Sequence, residues 1–247
     1  MRCDIVIVSH KRDLAWLCYC LSFLRKNWKE PDSRIIVRLE EDCREIVKDW
    51  GLEVAYRYVR RWPDGYTFQM YQKMISDDYT DAELLLLVDS DLMLISPASL
   101  ADLMSNGKPI IYYLEWGESP IAERVWRKPT SRVMGIDLDK DYMISAPFLY
   151  WRDTFSKTRL QIVNTTGKGF FEAVYSGTPF EATRFLEHPM TFADFEALNL
   201  YAAKFQADRY SLRPLQKRPK DSPFRLFWSH GDWTPQVRTF LDAKLKE

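Results

Sequence analysis

One apolar run in the sequence ends directly in acidic residues: residues 84–88, LLLLV, lead into Asp89, Ser90 and Asp91. A short continuous apolar run is typical of a fully buried strand. Burying an ionised carboxylate costs several kcal/mol unless it is paired or bound to a cation. Because side chains alternate along a strand, Asp89 and Asp91 point to the same side, where both can bind one Mn²⁺ or Mg²⁺. The alternative is a strand-to-loop junction with two solvated carboxylates.

The residues before this run alternate between strand and helix patterns. The predicted strands are residues 4–9, 34–40, 53–59 and 84–91, and the predicted helices are residues 14–28, 41–51 and 66–79. This β-α-β-α-β-α-β order predicts an α/β fold with a mostly parallel, doubly wound central sheet flanked by helices. Ligands of such sheets bind at the carboxyl ends of the strands.

The pattern changes after Pro97. We predict a helix over residues 99–107, a strand over 109–116, an irregular stretch over 117–147, and helices over 151–167 and 191–205. Gly167 is expected to end the helix over residues 151–167, and Thr191 is a candidate N-cap for the helix over residues 191–205. No linker separates two independent domains.

Composition limits the partners and the compartment. Lys plus Arg equal Asp plus Glu at 35 each, so no overall field attracts nucleic acid or an anionic membrane. The four cysteines, all at or before Cys43, have neither zinc-site spacing nor the density of a disulfide-rich domain. With no signal peptide and no long apolar run, we expect a cytoplasmic protein with no membrane association and no obligate protein partner.

Several segments resemble a known family when taken in order with the DxD motif. They are GYTFQMYQKMISDDYTDAELLLLVDSDLML, DYMISAPFLYWRDTF, FADFEALNLYAAKF and FWSHGDWTPQVRTFL. The chain resembles the nucleotide-sugar-dependent glycosyltransferases of the GT-A fold, and within them a group of glycosyltransferase-like proteins common in bacteriophage and bacterial genomes. The resemblance implies one GT-A-like (Rossmann-like) domain over residues 1–247. Its nucleotide-binding half would be residues 1–97, and its acceptor side a C-terminal α/β extension over residues 98–247.

The resemblance also implies a donor, a metal and a nucleotide site. The donor would be a nucleoside-diphosphate sugar, with UDP as the favoured nucleotide, held through Mn²⁺ or Mg²⁺ on Asp89 and Asp91. Spacing adds Gln69, Lys73 and Asp77, which fall on one face of the predicted helix and can hold the nucleotide or its phosphates. The other expected nucleotide contacts are Ser90 and the residues after the first strand, Ser9, His10, Lys11 and Arg12. A solvated polar helix face, and a His10 that only caps the next helix, are the alternatives.

Three residues of the C-terminal half complete the predicted site. His230, in SHGDWTP, is similar to a C-terminal histidine that completes the metal site in some GT-A enzymes; alternatively it only lines the site. In GT-A enzymes that invert the anomeric centre, an acidic residue at the start of a helix acts as general base. Asp194 matches that position and Glu196 is second, although an acidic first turn that stabilises a helix dipole explains either residue without catalysis.

The acceptor is left open. One candidate is a hydroxymethylated pyrimidine in phage DNA, within a bacterial host cytoplasm, whose phosphates would be followed by two basic stretches. Between Lys204 and Arg238 there are eight basic and three acidic residues, and the irregular segment adds Arg124, Arg127, Lys128 and Arg132. The zero net charge argues against DNA, and a surface glycan, a lipid carrier or a small metabolite are the other candidates.

Two other enzyme classes and a non-catalytic class are the alternatives. A haloacid-dehalogenase-type phosphatase also places DxD after an apolar strand, but there the motif normally opens the chain, whereas here it begins at Asp89 and is followed by Leu92 and Met93. A sugar nucleotidyltransferase would need a glycine-rich loop after the first strand, and SHKRD has no glycine. The remaining alternative is a non-catalytic nucleotide-sugar-binding protein.

Overall fold

The computed structural model describes residues 1–50, 55–59, 65–118, 126–144, 146–175, 192–227 and 233–247. The strands in these ranges are β1 Cys3–Val8, β2 Ile35–Glu40, β3 Ala55–Val59, β4 Leu84–Asp89, β5 Leu92–Leu94, β6 Met104–Ser105, β7 Lys108–Glu115, β8 Lys140–Asp141, β9 Phe148–Trp151, β10 Ser211–Pro214 and β11 Phe224–Leu226. The α-helices are α1 Leu14–Asn27, α2 Arg44–Val47, α3 Gly65–Met74, α4 Arg127–Met134, α5 Arg152–Thr166, α6 Phe170–Tyr175, α7 Asp194–Phe205 and α8 Pro235–Lys246.

The central sheet has five strands in the order β3-β2-β1-β4-β9. The four strands β1 to β4 are parallel, and β9 joins the edge of β4 in the antiparallel direction. All six residues of β1 and five of the six in β4 are buried, as expected for strands covered on both faces. The predicted α/β fold with a mostly parallel sheet is therefore confirmed.

Each face of the sheet has its own apolar core because side chains alternate along the strands. Ile5, Ile7 and Leu86 pack with α1 and α8 on one face, which we call the α1 face. Val6 and Leu87 pack with α3, α5 and α7 on the other, which we call the α7 face. Each fully buried side chain of this size contributes about 1.5–3 kcal/mol, so the two cores dominate the stability of the fold.

The amino ends of the strands are tied by a buried carboxylate. Asp4 in β1 is fully buried and accepts hydrogen bonds from the Arg34 guanidinium at 2.8 and 2.9 Å, just before β2. It also accepts one from the Thr80 hydroxyl at 2.5 Å, just before β4. Three neighbouring strands are thus fixed at their amino ends, which leaves the carboxyl ends as the open edge.

The predicted helix over residues 99–107 is wrong. Only Leu100–Leu103 forms a 3₁₀ helix, capped by Ser99 and Asp102, and the chain then enters the β6–β7 hairpin. Asn106 and Gly107 form its turn with φ values of 50° and 73°. Asn-Gly favours this two-residue hairpin turn because both positions need a positive φ.

The stretch predicted as irregular, residues 117–147, contains α4, which ends at Gly135 with a φ of 67°. The predicted helix over residues 151–167 is confirmed as α5, with Gly167 at its end. The last predicted helix is confirmed as α7, which starts at Asp194, whereas Thr191 lies outside the described residues. In the described part of the chain, no helix combines the length and apolar character needed to cross a bilayer.

Candidate active site

The candidate site lies at the carboxyl ends of β1 and β4, which are neighbours in the sheet. The sheet continues through β2 and β3 on the β1 side and through β9 on the β4 side, so the strand order reverses here. Open α/β sheets bind ligands at such a switch point. Val8 pairs with Asp89, so the residues that follow these two strands meet at one place.

Lys73, near the end of α3, reaches this edge and contacts two other elements. Its Nζ lies 2.7 Å from Oδ1 of Asp89 and 3.6 Å from Oδ2 of Asp194, the first residue of α7. The same ammonium lies 4.3 Å from the centre of the Phe195 ring, in a cation–π contact. Lys73 and Asp194 are only 7% and 6% exposed. These contacts join α3, β4 and α7 at the switch point.

Burial and neighbouring carboxylates act on Lys73 in opposite directions. Burial by itself lowers the pKa of Lys73, but the carboxylates of Asp89, Asp194 and Asp91 outweigh burial and raise the pKa above its usual value. Burial raises the pKa of Asp194, and the Lys73 ammonium opposes that rise. Among the described residues, the Lys73 ammonium is therefore shared between the carboxylates of Asp89 and Asp194.

The ligand type and the accessibility of Asp89 are compatible with a divalent cation at this edge. The Asp89 side chain keeps 28% of its surface exposed, so a cation can reach it. Carboxylate oxygens are the ligands that Mg²⁺ and Mn²⁺ prefer. The predicted strand over residues 84–91 is two residues too long, because β4 ends at Asp89 and Asp91 lies in the turn that follows. Strand alternation therefore does not align the two carboxylates, and their role as metal ligands stays a prediction.

A second group of possible metal ligands lies at the end of β2. Ligand atoms of Glu40, Asp42 and Cys43 lie within 4.8 Å of one another. Burial and the neighbouring Asp42 raise the pKa of the Cys43 thiol to about 11, so a metal ion bound there would have to displace the thiol proton. This group does not include the predicted ligands Asp89 and Asp91.

The residues after β1 differ in accessibility. Ser9 is fully buried, and among the described residues its Oγ has no hydrogen-bond partner. The His10 Nε2 lies 3.1 Å from Asp13 Oδ2, and His10 occupies the N-cap position of the 3₁₀ helix Lys11–Asp13. Lys11 and Arg12 are exposed. All four residues lie at the predicted edge, and His10 takes part in the local structure of the turn.

Two other predicted nucleotide contacts stay near the site. Gln69 is half-buried on α3, one turn before Lys73, and Ser90 is buried in the turn after β4. Nothing in their surroundings assigns them a ligand, so their nucleotide contact stays a prediction.

Asp77 does not belong to the site. The prediction that it shares a helix face with Lys73 and contacts the nucleotide is wrong. Helix α3 ends at Met74, so the helical spacing that would align Asp77 with Lys73 does not continue. Both Asp77 oxygens accept hydrogen bonds from the Arg159 guanidinium of α5, one of them at 3.0 Å. Asp77 therefore links the turn after α3 to α5.

Glu196 is placed away from the site. It is fully buried, and its Oε2 accepts a hydrogen bond from the Tyr142 backbone N–H at 3.0 Å. Burial raises the pKa of Glu196 well above its ordinary value, and the neighbouring Asp141 carboxyl raises it further. An acceptor cannot reach a fully buried carboxyl, so this geometry argues against Glu196 as a general base and leaves Asp194 as the candidate. His230 and Arg124 lie outside the described residues, and the predicted role of His230 stays a prediction.

Sequence reasoning missed the contact of Lys73 with Asp194 and the stacking of Lys73 on Phe195. The acidic start of α7 was visible in FADFE, but no local signal indicates that α7 packs against α3. The sequence matches no model of a known protein family and no curated protein. A function for this chain has to be inferred from the chemistry of the site itself.

Proposed function

We propose that this chain is a metal-dependent glycosyltransferase with a GT-A-type fold, which moves a sugar from a nucleoside-diphosphate sugar to an acceptor hydroxyl. UDP is the favoured nucleotide. The observation that carries the proposal is the Lys73 ammonium, held between Asp89 and Asp194 at the switch point of a parallel sheet. A departing diphosphate needs positive charge, because negative charge develops on its oxygens; a divalent cation on Asp89 and Asp91 would supply that charge beside the Lys73 ammonium.

Three side chains act on the diphosphate in this proposal. Asp89 and Asp91 would hold Mn²⁺ or Mg²⁺, which when bound supplies positive charge to the diphosphate. Lys73 keeps Asp89 in position and adds a fixed positive charge at the same place. A buried, preorganised charge of this kind does not have to reorganise as the bond to the sugar breaks.

Asp194 is the proposed general base. It accepts the proton of the acceptor hydroxyl while that oxygen forms a bond to the anomeric carbon and the bond from that carbon to the diphosphate breaks. Its burial raises its pKa, which makes it a stronger base than a solvated aspartate. A direct displacement of this kind inverts the anomeric centre.

The test is metal-dependent release of UDP from a panel of UDP-sugars. We expect Asp91→Asn to abolish release with Mn²⁺ or Mg²⁺ present while the circular dichroism spectrum is unchanged. Asp42→Asn is the matched control, because it removes one exposed carboxylate from the other acidic group. Full activity in Asp91→Asn, or equal loss in both variants, would refute the metal assignment.

The same assay separates the alternatives. A haloacid-dehalogenase-type phosphatase would release inorganic phosphate from simple phosphate esters, and a non-catalytic binding protein would bind UDP-sugar without releasing UDP. Either result in place of UDP release would replace the proposal.

For the acceptor, duplexes with and without hydroxymethylated pyrimidine should be compared with glycan, lipid and small-metabolite acceptors. Many basic residues of the Lys204–Arg238 stretch have partners inside the protein. Lys204 pairs with Asp139 at 2.7 Å, Arg209 pairs with Asp153 at 2.8 Å, and the Arg213 guanidinium donates to the Ser105 hydroxyl. These partners reduce the charge available for DNA phosphates, so transfer to hydroxymethylated DNA should depend on Lys217 and Lys220 if it occurs.

A further inference from the structure

A pocket lies on the α1 face, where the chain between β10 and β11 passes the start of β9. Its volume is about 140 Å³, well above what one water molecule needs. Its walls combine apolar and polar groups, among them Tyr112, Pro147, Leu149, Arg218, Ser222 and Phe224. Leu149 and Phe224 belong to the core of the α1 face, whereas Lys73 and Asp194 approach Asp89 from α3 and α7. The pocket and the Lys73 site are therefore separate.

Arg218 is the unusual residue of this pocket. Its Nη2 donates to the backbone oxygen of Ala146 and to the hydroxyl of Ser222, both at 3.1 Å, and both acceptors are neutral. Within the described ranges, no carboxylate oxygen lies within 4.0 Å of the Arg218 guanidinium, which is the limit for an ion pair. Burial lowers the pKa of Arg218, and the Tyr112 phenol is the group that opposes this effect. A half-buried cation without a counter-charge is costly unless a ligand supplies one.

Two acidic residues lie at the rim without neutralising Arg218. The Asp102 carboxylate accepts hydrogen bonds from the Ser99 backbone N–H at 2.8 Å and the Ser99 hydroxyl at 3.1 Å, so it serves as part of a helix cap. Asp221 is exposed to solvent, where its charge is screened. Among the described residues that line the pocket, Arg218 is therefore a half-buried charge without an ion-pair partner.

We propose that Arg218 anchors an anion-binding pocket that takes a phosphate group carried on a flat or apolar body. Contacts of Arg218 with the described residues use only Nη2, which leaves the N–H donors of Nε and Nη1 for a phosphate. Tyr112 and Pro147 supply the apolar walls for the body that carries the phosphate. The phosphate is either that of a nucleoside diphosphate or that of a separate phosphorylated ligand.

The first experiment is calorimetric titration of the full chain with phenyl phosphate, at low ionic strength and without metal or UDP-sugar. We expect saturable binding that weakens by at least about tenfold in Arg218→Gln, since charge-assisted hydrogen bonds are lost. Arg25→Gln is the matched control: it makes the same substitution at an exposed residue of α1 that does not line the pocket, and should change affinity by less than about twofold. Absence of saturable binding, or equal affinity in the two variants, would overturn the proposal.

A second variant covers the case in which Arg218→Gln does not fold. Arg218→Lys keeps the charge but loses the planar fork, so phenyl phosphate should bind about three- to tenfold more weakly than in the unmodified chain. Unchanged affinity in Arg218→Lys would contradict recognition by the fork. Competition by UDP assigns the phosphate to a nucleotide, and lack of competition assigns it to a separate ligand. These titrations do not measure sugar transfer. Their result therefore does not depend on whether the proposed function is correct.

Discussion

At the scale of the residue, Lys73 and Asp194 are the two groups on which the proposed chemistry depends. Lys73 is buried, and the carboxylates of Asp89 and Asp194 stabilise its charge at the switch point. Asp194 is held by its own helix as well, because its Oδ1 accepts a hydrogen bond from the Phe195 backbone N–H at 2.9 Å. The site is therefore preorganised before any ligand binds.

We predict that Lys73→Met lowers UDP release by at least about 100-fold and destabilises the fold by about 3–5 kcal/mol. Removing one member of a buried ion pair leaves the other charge unpaired, and here two carboxylates lose their partner. Donor assays and urea denaturation measure the two effects. Lys73→Arg keeps the charge and should recover part of the stability; a fully stable and active Lys73→Met would show that the pairing is dispensable.

For Asp194→Asn we expect transfer to fall by about 10²–10⁴-fold, the usual contribution of a general base. UDP-sugar binding should be retained, because the proposed donor contacts lie on Asp89, Asp91 and Lys73. Transfer to the acceptor identified by the panel and donor affinity measured by calorimetry separate these two effects. Undiminished transfer would assign the base to another residue.

At the scale of the element, α7 contributes more than the base. Glu196 accepts a hydrogen bond from the Tyr142 N–H, and the Asn199 side-chain amide donates to the Tyr142 backbone oxygen at 3.2 Å. Helix α7 therefore binds both backbone polar groups of Tyr142, the N–H and the C=O. Burial within this contact keeps Glu196 protonated far above the pH at which a free glutamate ionises.

The pH dependence of stability follows from the raised pKa of Glu196. In the folded protein Glu196 keeps a proton that the unfolded chain releases above the ordinary pKa of 4.5. The free energy of unfolding therefore falls as pH rises from the ordinary pKa towards the raised pKa of the folded state. Glu196→Gln is neutral at every pH and should remove this decline, which is at most about 1.4 kcal/mol per pH unit for one proton. Thermal melts between about pH 5 and 8 test this expectation. A variant with the same pH slope as the unmodified chain would contradict it.

At the scale of the whole molecule, stability and the proposed metal chemistry are independent. Apolar cores on both faces of the sheet and the Asp4 contacts at the amino ends hold the strands. The proposed metal ligands lie at the carboxyl edge: Asp89 belongs to the last pair of β1 and β4, and Asp91 follows it in the turn. A metal bound there adds charge to the site but is not required for the core.

We therefore expect chelation by EDTA to abolish UDP release while the melting temperature changes by less than about 2 °C, since no part of the core depends on the ion. Adding Mn²⁺ or Mg²⁺ in excess of the chelator should restore release. Circular dichroism melts and the donor assay, run on the same samples, measure both. Unfolding on chelation would show that the metal is structural.

Local sequence determined the elements whose signal is contained within a few residues. Buried parallel strands appeared as short apolar runs, and α5 was bounded by its glycine cap at Gly167. The apolar run placed the end of the strand near Asp89, but the pairing of Asp89 with Val8 is a result of the tertiary structure. Asn106 and Gly107 carried a hairpin signal that the helical composition around them obscured, since a two-residue turn needs a partner strand to be recognised.

Tertiary structure alone decided which side chains meet. Asp77 and Lys73 share a helical spacing in the sequence, yet one faces Arg159 on α5 and the other faces Asp89, because α3 ends at Met74. Asp194 and Glu196 are two residues apart, yet Asp194 lies beside the Lys73 ammonium and Glu196 is fully buried in the core. These outcomes depend on the packing of helices that are distant in the chain. Hydrophobic periodicity specifies which face of a helix is buried, but not which other element packs against that face.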